Sequence, residues 1–567
     1  MREGSNYSVL AAIGFALILA ACGGGGDDSE SEAGDAAASG DNGGGTDVPV
    51  AQGEYALLAW NDLGMHCIDS DYSVFSLLPP FNVLNAQLVH RGGGVVESGV
   101  ELTYEAVADP SGSVNSTSRG KTNFWDYAEQ LYGPRLEPDT GLKGFSMPSR
   151  GPAAMHFDRS HRWFAAEGIP ITPVDDEGRK NEYPMMRVKA IDPSGRTLAT
   201  ADVVLPVSDE MTCVRCHGSA QGVDDARPRG GWVQDADPER DWRLNILRLH
   251  DERSGDSHRF RDALARLGLD PQGLEASARS GHPVLCAGCH RSNALPGTGL
   301  DGIAQLTTVI HDRHASVTDP ETGLSLDDDR TRAACYRCHP GSSTQCLRGA
   351  MGKATDPAGN PLVQCQSCHG RMSAVGRPGR EGWLDLPNCQ ACHHDGQRGA
   401  KAVRADGSLI RVSDRRFATN ADTPAPGYGL YRFSRGHGDL YCESCHGATH
   451  AIYPSAEFND NVLARELQGY AGTIRECAVC HDPVPYTATG GPHGMHTIGA
   501  AWVRGHGDSV EHSGPEQCTA CHGADYRGSP LSAIKTAKEF RHEHGIVRYR
   551  PGDPVTCYDC HNGPHED

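Results

Sequence analysis

Cys442-Glu443-Ser444-Cys445-His446-Gly447-Ala448-Thr449-His450 places two thiols three positions apart, a histidine directly after the second, and another histidine four residues on. The pattern Cys-x-x-Cys-His occurs nine times between Cys213 and His561. Besides Cys442/Cys445/His446 the copies are Cys213/Cys216/His217, Cys286/Cys289/His290, Cys335/Cys338/His339, Cys365/Cys368/His369 and Cys389/Cys392/His393. Cys477/Cys480/His481, Cys518/Cys521/His522 and Cys557/Cys560/His561 complete the set. Two thiols at this spacing can form thioethers to the two vinyl groups of one porphyrin, and the adjacent His reaches the iron from one face. Cys-x-x-Cys pairs also bind zinc, but a zinc ribbon takes two pairs per ion and has no use for the trailing His. His is only 28 of 567 residues, so nine pairs out of nine followed by His are not an accident of composition. The pattern predicts nine covalent haem c groups, with His217, His290, His339, His369, His393, His446, His481, His522 and His561 as proximal iron ligands.

The composition agrees. Aromatics are 6%, while Gly and Pro number 69 and 35, a thin supply of core and a rich supply of loop. Porphyrins are large apolar discs, and side chains can pack around them instead. Short helices and long loops with little regular sheet are therefore expected across the motif region, residues 208–567. The formal charge of -21 disfavours nucleic acid and anionic membrane surfaces, and favours cationic or metallic partners. Of 21 cysteines, all but Cys22, Cys67 and Cys346 belong to the motifs. Covalent haem c is assembled outside the cytoplasm, so an exported protein is expected.

The amino terminus fits that expectation. Val9 to Leu19 is an apolar run too short to span a bilayer, and it follows Arg2, as in a secretory signal over residues 1–21. Leu19-Ala20-Ala21-Cys22-Gly23 resembles the bacterial lipobox, which implies that Cys22 carries a lipid and that the chain is held at the outer membrane, facing the periplasm or the cell surface. Residues 22–53 are Gly-, Ser- and Asp-rich without aromatics and read as a disordered tether, with a reach of roughly 30 Å.

Residues 54–207 hold no Cys-x-x-Cys-His and change to a strand pattern. Leu102, Tyr104, Ala106 and Ala108 alternate with Thr103, Glu105 and Val107, and Met186, Val188 and Ala190 alternate with Arg187 and Lys189. Both runs end in Asp-Pro-Ser-Gly, at 109–112 and 192–195, and Ala199 to Val207 reads as a returning strand. Period-two alternation with such turns predicts an all-β, sandwich-like domain. Its stretch Asn61 to Leu78 groups His66, Cys67, Asp69 and Asp71, and is read as structural rather than as a metal site. Cys67 and Cys346, the thiols left over in an oxidising compartment, could form a disulfide joining the two regions.

In the motif region, Asp237 and Pro238 open a helix carrying Trp242, Ile246 and Leu249 on one face and ending at His250; a second helix follows over 257–267. Fifteen further histidines lie beyond Cys213, enough to give every iron a second His, whereas Met372 and Met495 alone stand near motifs as competitors. A second His makes the iron six-coordinate and suited to electron transfer; an open position would admit a substrate. His437 and His506 sit in the repeated Arg-Gly-His-Gly-Asp, and His544 precedes a glycine in the same way. His450 and His394 lie too near their own proximal His to share its iron, and His311 and His314 could serve two irons from one helical turn. With His250 and His496 these complete the nine candidate distal ligands, and His282, His493, His512, His542 and His565 are held in reserve.

The nine motifs, the lipobox and phrases such as Cys518-Thr-Ala-Cys-His-Gly-Ala-Asp-Tyr-Arg-Gly528 resemble the bacterial multihaem c-type cytochromes of the outer membrane and cell surface. That resemblance covers about 213–567 and the export signal, and the Asn61 to Cys67 segment is similar to a leader domain of some such cytochromes. It implies a relay that passes electrons to or from partner cytochromes, other redox proteins or extracellular metal oxides, without a catalytic residue. Two alternatives stand beside it: a reductase of a small nitrogen or sulfur oxyanion with one open haem site, and a subunit of a cytochrome filament. No Cys-x-x-Cys-Lys occurs, and the negative charge weighs against an anionic substrate.

Overall fold

The computed structural model describes residues 53–149, 151–356, 358–380, 389, 431–435, 437–485, 496–523, 525–528, 532–534 and 536–564. The signal, Cys22, nearly all of the tether, Cys392, His393, His394, His493 and His565 lie outside the described residues, as does the side chain of Cys521. The described residues belong to one compact unit, Pro49–Asp567.

Two antiparallel sheets are built from the first half. The strands, in order, are β1 Tyr55–Asn61, β2 His66–Cys67, β3 Phe75–Ser76, β4 Asn82–His90, β5 Gly94–Val96 and β6 Glu101–Val107. They continue with β7 Ala153–Ala154, β8 His156–Asp158, β9 Trp163–Ile169, β10 Met185–Ile191, β11 Thr197–Val204 and β12 Val207–Ser208. One sheet runs β1-β4-β9-β8 with β5 beside β4; the other runs β11-β10-β6-β7. Leu57, Leu84 and Leu88 of the first sheet share an apolar cluster with Leu102, Tyr104, Met186 and Val188 of the second.

Alternation holds on β10, where Met186, Val188 and Ala190 are buried. Arg187 between them pairs with Asp202, its direct partner on β11, at 2.7 Å. The repeated Asp-Pro-Ser-Gly makes the same turn twice: Gly112 N–H donates to Asp109 O at 2.8 Å and Gly195 N–H to Asp192 O at 2.9 Å. Both glycines have φ of 87°, a conformation that costs a side-chain-bearing residue dearly. β1 and β4, by contrast, are buried along almost their whole length. Tyr441 and Trp163 close over Trp60, and Leu440, Leu463 and Leu467 join the shared cluster, so these strands have no solvent face to mark with polar residues.

Beyond residue 208 regular sheet is scarce among the described residues. β13 (Val284–Leu285) pairs with β3, and β14 (Lys538–His542) and β15 (Gly545–Tyr549) form a hairpin. The helix Pro238–Ser254 begins as its sequence suggests, with the Asp237 carboxylate accepting Glu239 N–H at 2.9 Å. It runs one turn past His250, and Asp251 in that turn accepts the N–H groups of Leu274 and Glu275 at the start of the helix Leu274–Arg279.

Candidate functional site

Each Cys-x-x-Cys-His that lies within the described residues folds as a single tight turn. The histidine N–H returns to the first cysteine's carbonyl at 3.0 Å for His217, His290, His339 and His561, and at 2.9 Å for His481. Cys365–His369 and Cys442–His446 are one-turn helices. Helical spacing puts positions one, four and five on one face, so both thiols and the imidazole project the same way.

The β strands deliver several motifs. β12 pairs with β2 five residues before Cys213, and β13 ends directly before Cys286. Gln87 of β4 accepts Tyr441 N–H at 3.1 Å, and Tyr441 Oη donates to His161 O at 2.7 Å, directly before Cys442. Arg91, just past β4, donates to Ala478 O at 2.6 Å inside the motif that starts at Cys477.

Seven motif histidines face a second histidine ring. The centroids are 6.3 Å apart for His217/His314, His290/His250, His339/His311 and His522/His496, and 6.2 Å for His369/His450. They are 5.6 Å apart for His481/His437 and 5.5 Å for His561/His506, where Nε2 meets Nε2 at 3.3 Å. Two imidazoles held on opposite sides of one metal ion, each at about 2.0–2.1 Å, would have centroids roughly 6.3 Å apart; five of the pairs stand at that separation, and His481/His437 and His561/His506 stand closer.

The hydrogen bonds behind the rings fix their protonation. Nδ1 of His290, His311, His314 and His450 lies 2.6–2.8 Å from the carbonyls of Ala304, Thr307, Ile310 and Leu63. Nδ1 of His496, His506 and His522 meets the carbonyls of Thr497, Trp502 and Val555 at 2.8, 3.2 and 3.0 Å. A carbonyl only accepts, so Nδ1 carries a proton, the arrangement that leaves Nε2 as the nitrogen facing the partner ring and a metal. Burial, and then the neighbouring histidines or arginines, push His217, His250 and His339 down to about 4 and His369 to about 3, so these rings are neutral at pH 7. Burial does the same to His450, held at about 4 although the Leu63 carbonyl works the other way. The donor set fits a haem iron: neutral nitrogen ligands in facing pairs beside paired thiols.

Neighbouring motifs are adjacent in space. Cys213 feels Cys338 and Cys286, Cys335 lies within hydrogen-bonding reach of Cys365, and Cys389 of Cys442. Cys480 feels Cys445, and Cys557 feels Cys518. The turn carrying His446 also carries His450, which faces His369, so the Cys365 and Cys442 motifs are joined through one short segment.

Seven of the nine candidate distal histidines thus face a motif histidine; His394 lies outside the described residues. His544 does not take the expected place. It sits exposed at the turn of the β14–β15 hairpin, 3.6 Å from Glu543, with its ring 6.1 Å from that of His542. The glycine beside it serves the hairpin turn, with Gly545 at φ 153°. Of the reserves, His282 and His512 are exposed. Nδ1 of His446 lies 3.4 Å from Thr473 Oγ1.

Cys67 and Cys346, which could pair, are not bonded to each other in this structure. Each is pinned by its own backbone: Cys67 by the pairing of β2 with β12, Cys346 by the turn that Thr344 ties to Ser208 through hydroxyls 2.9 Å apart. They are close enough that Cys346 adds to the upward push that burial gives Cys67. Around them the Asn61 to Leu78 stretch is a web of internal bonds. His66 Nε2 meets Asp62 Oδ1 at 2.7 Å, and Asp69 accepts from Ser76 Oγ and the N–H groups of Leu77 and Leu78. Among the described residues no group of three or more His, Cys, Asp or Glu side chains is placed to hold a bare metal ion.

The carbonyls behind the rings are not legible in the sequence: Ala304 O and Val555 O stand behind the motif histidines His290 and His522, 14 and 33 residues away, and Leu63 O behind the candidate distal His450, 387 residues away, and a backbone acceptor leaves no mark in residue identity. No protein-family model, curated protein or solved structure matches the chain.

Proposed function

We propose that this chain is an electron-transfer protein that relays electrons through nine covalently attached c-type haems, most of them held between two histidines. The observation that carries this reading is the set of seven facing histidine pairs, each formed by one motif histidine and one histidine from elsewhere in the chain. Bound haem supplies a reversible one-electron couple; the protein supplies attachment, axial nitrogens and burial. Two axial histidines leave an iron no position for a substrate, which suits a conduit better than a reductase. Adjacent motifs suit transfer from one haem to the next.

The lipobox and acidic tether support a place at the outer membrane, and the resemblance to cell-surface multihaem cytochromes supports partner cytochromes or extracellular metal as donor and acceptor. Two sheets over one apolar cluster support a sandwich-like domain that carries the cytochrome domain's motifs. The test is the exported, haem-loaded protein. Nine haems per chain by mass and pyridine haemochrome, with low-spin signals in electron paramagnetic resonance, are expected. A high-spin haem that binds nitrite or hydroxylamine would move the reading to a reductase.

A further inference from the structure

The turn Asn61–Gly64 leaves β1 and ends against the segment that carries His450. Leu63 O accepts from His450 Nδ1 at 2.7 Å and stands 3.4 Å from His450 N. The turn itself is braced from three sides. Asn61 Oδ1 accepts the N–H groups of Leu63 at 3.2 Å and Gly64 at 2.6 Å, while its Nδ2 is tied to Asn82 Oδ1 at 2.6 Å and Val83 O at 2.8 Å. Arg348, buried and paired with Asp460, donates to Gly64 O at 2.5 Å. Gly64 has φ of 82°, and a Cβ there would lie 3.2 Å from Ala448 Cβ, 3.3 Å from Ala451 N and 3.4 Å from His450 Cβ.

We infer that the Leu63 carbonyl is a positioning and tuning group for the haem attached at Cys365 and Cys368: it orients the His450 ring opposite His369 and makes His450 a stronger donor to that iron. The inference rests on the reading of His369 and His450 as ligands of one iron. It assigns the haem-free strands a part in setting a haem's potential. A carbonyl accepting from Nδ1–H draws the imidazole toward imidazolate character, which favours the ferric state and lowers the reduction potential. The turn is well determined for this task, because its local bonds from Asn61 are joined by buried bonds from Asn61 Nδ2 to Asn82 and Val83 on β4 and from Arg348 to Gly64 O.

The experiment uses the full haem-loaded chain. His450→Met first identifies the haem: one bis-histidine low-spin signal is replaced by that of a His/Met haem at more positive potential. Gly64→Ala then crowds the turn and withdraws Leu63 O from Nδ1. That same haem should titrate at a more positive potential, by about 59 mV for each tenfold loss of the ferric preference, with the other haems unchanged. In the His450→Met background Gly64→Ala should move nothing, since no Nδ1–H remains to lose. An unchanged potential in Gly64→Ala, or an equal shift in both backgrounds, overturns the inference. A His450→Met chain whose bis-histidine signals are all unchanged overturns the axial pairing instead. Should Gly64→Ala not fold, the unaltered chain answers. Deuterium exchange of that haem's axial imidazole N–H, followed by electron–nuclear double resonance, is slow if Leu63 holds the proton and fast if it does not.

Discussion

His311 and His314 stand three residues apart on the helix Leu306–Ala315, yet face different motif histidines, His339 and His217, each at 6.3 Å. Each has its Nδ1 tied to a carbonyl one turn back, Thr307 and Ile310, so one helix turn aims two rings in two directions. His314→Ala should open one iron, that of Cys213/Cys216, and His311→Ala another, that of Cys335/Cys338. Each variant is expected to convert one haem of the nine to high spin, read by integrated electron paramagnetic resonance; loss of two haems from either would show that the pairs are not independent.

The pairs fall into two orientations. Ring planes meet at 14, 18 and 20° for His311/His339, His369/His450 and His496/His522, and at 61 to 77° for the other four. Near-parallel axial imidazoles split the iron d orbitals more than near-perpendicular ones. The ferric spectrum should therefore contain rhombic signals from the first class and highly anisotropic low-field signals from the second. A spectrum of one class alone would contradict the geometry.

Nδ1 of His217 and of His250 is buried without a hydrogen-bond partner, whereas both rings of the His496/His522 pair donate to carbonyls. A ring without an acceptor is a weaker donor to iron. The haems of Cys213/Cys216 and Cys286/Cys289 should therefore be reduced at more positive potential than that of Cys518/Cys521. Potentiometric titration of variants lacking one attachment site at a time assigns the three.

Arg348 and Asp460 form a bidentate ion pair at 2.7 Å with both side chains almost wholly buried. Arg348→Met strands the carboxylate, at a cost of about 3–5 kcal/mol. Denaturant unfolding of the loaded protein should show this loss, and Arg348→Met/Asp460→Leu should recover most of it.

Glu210 receives Ser343 and Thr344 N–H groups at 2.9 and 3.0 Å, clasping the loop after His339. Burial works to raise its pKa, but the bonds from Ser343 and Thr344 outweigh it and hold the carboxyl at about 2. A depressed folded pKa adds stability above the ordinary 4.5, and that stability is lost as pH falls toward about 2. Unscreened, the shift is worth roughly 3 kcal/mol, and solvent reduces a partly exposed group to the order of 1–2 kcal/mol. Glu210→Gln should unfold more readily at pH 7 and lose its difference from the parent near pH 2, followed by circular dichroism.

Legibility differed by residue. The Asp237-Pro238 helix start and both Asp-Pro-Ser-Gly turns were readable because the forces are local: a cap, a fixed φ, a glycine at positive φ. β1 and β4 were not, because a strand covered on both faces loses the alternation that marks it. His544 was misplaced for a related reason. A glycine beside a histidine marks room near a porphyrin or a hairpin turn equally well, and only the pairing of β14 with β15 decides.

By itself the sequence determined where the nine Cys-x-x-Cys-His turns lie, since the spacing of two thiols and an adjacent imidazole is a local fact, and that the histidines suffice for two per motif. Which ring faces which, at what angle, and with what carbonyl behind it was decided only by tertiary structure. Those relations join residues as far apart as Leu63 and His450, and their acceptors are backbone atoms common to every residue type. The repeated turn around Cys442, taken alone, fixes one thiol pair and one imidazole; the fold around it brings His450 to face His369.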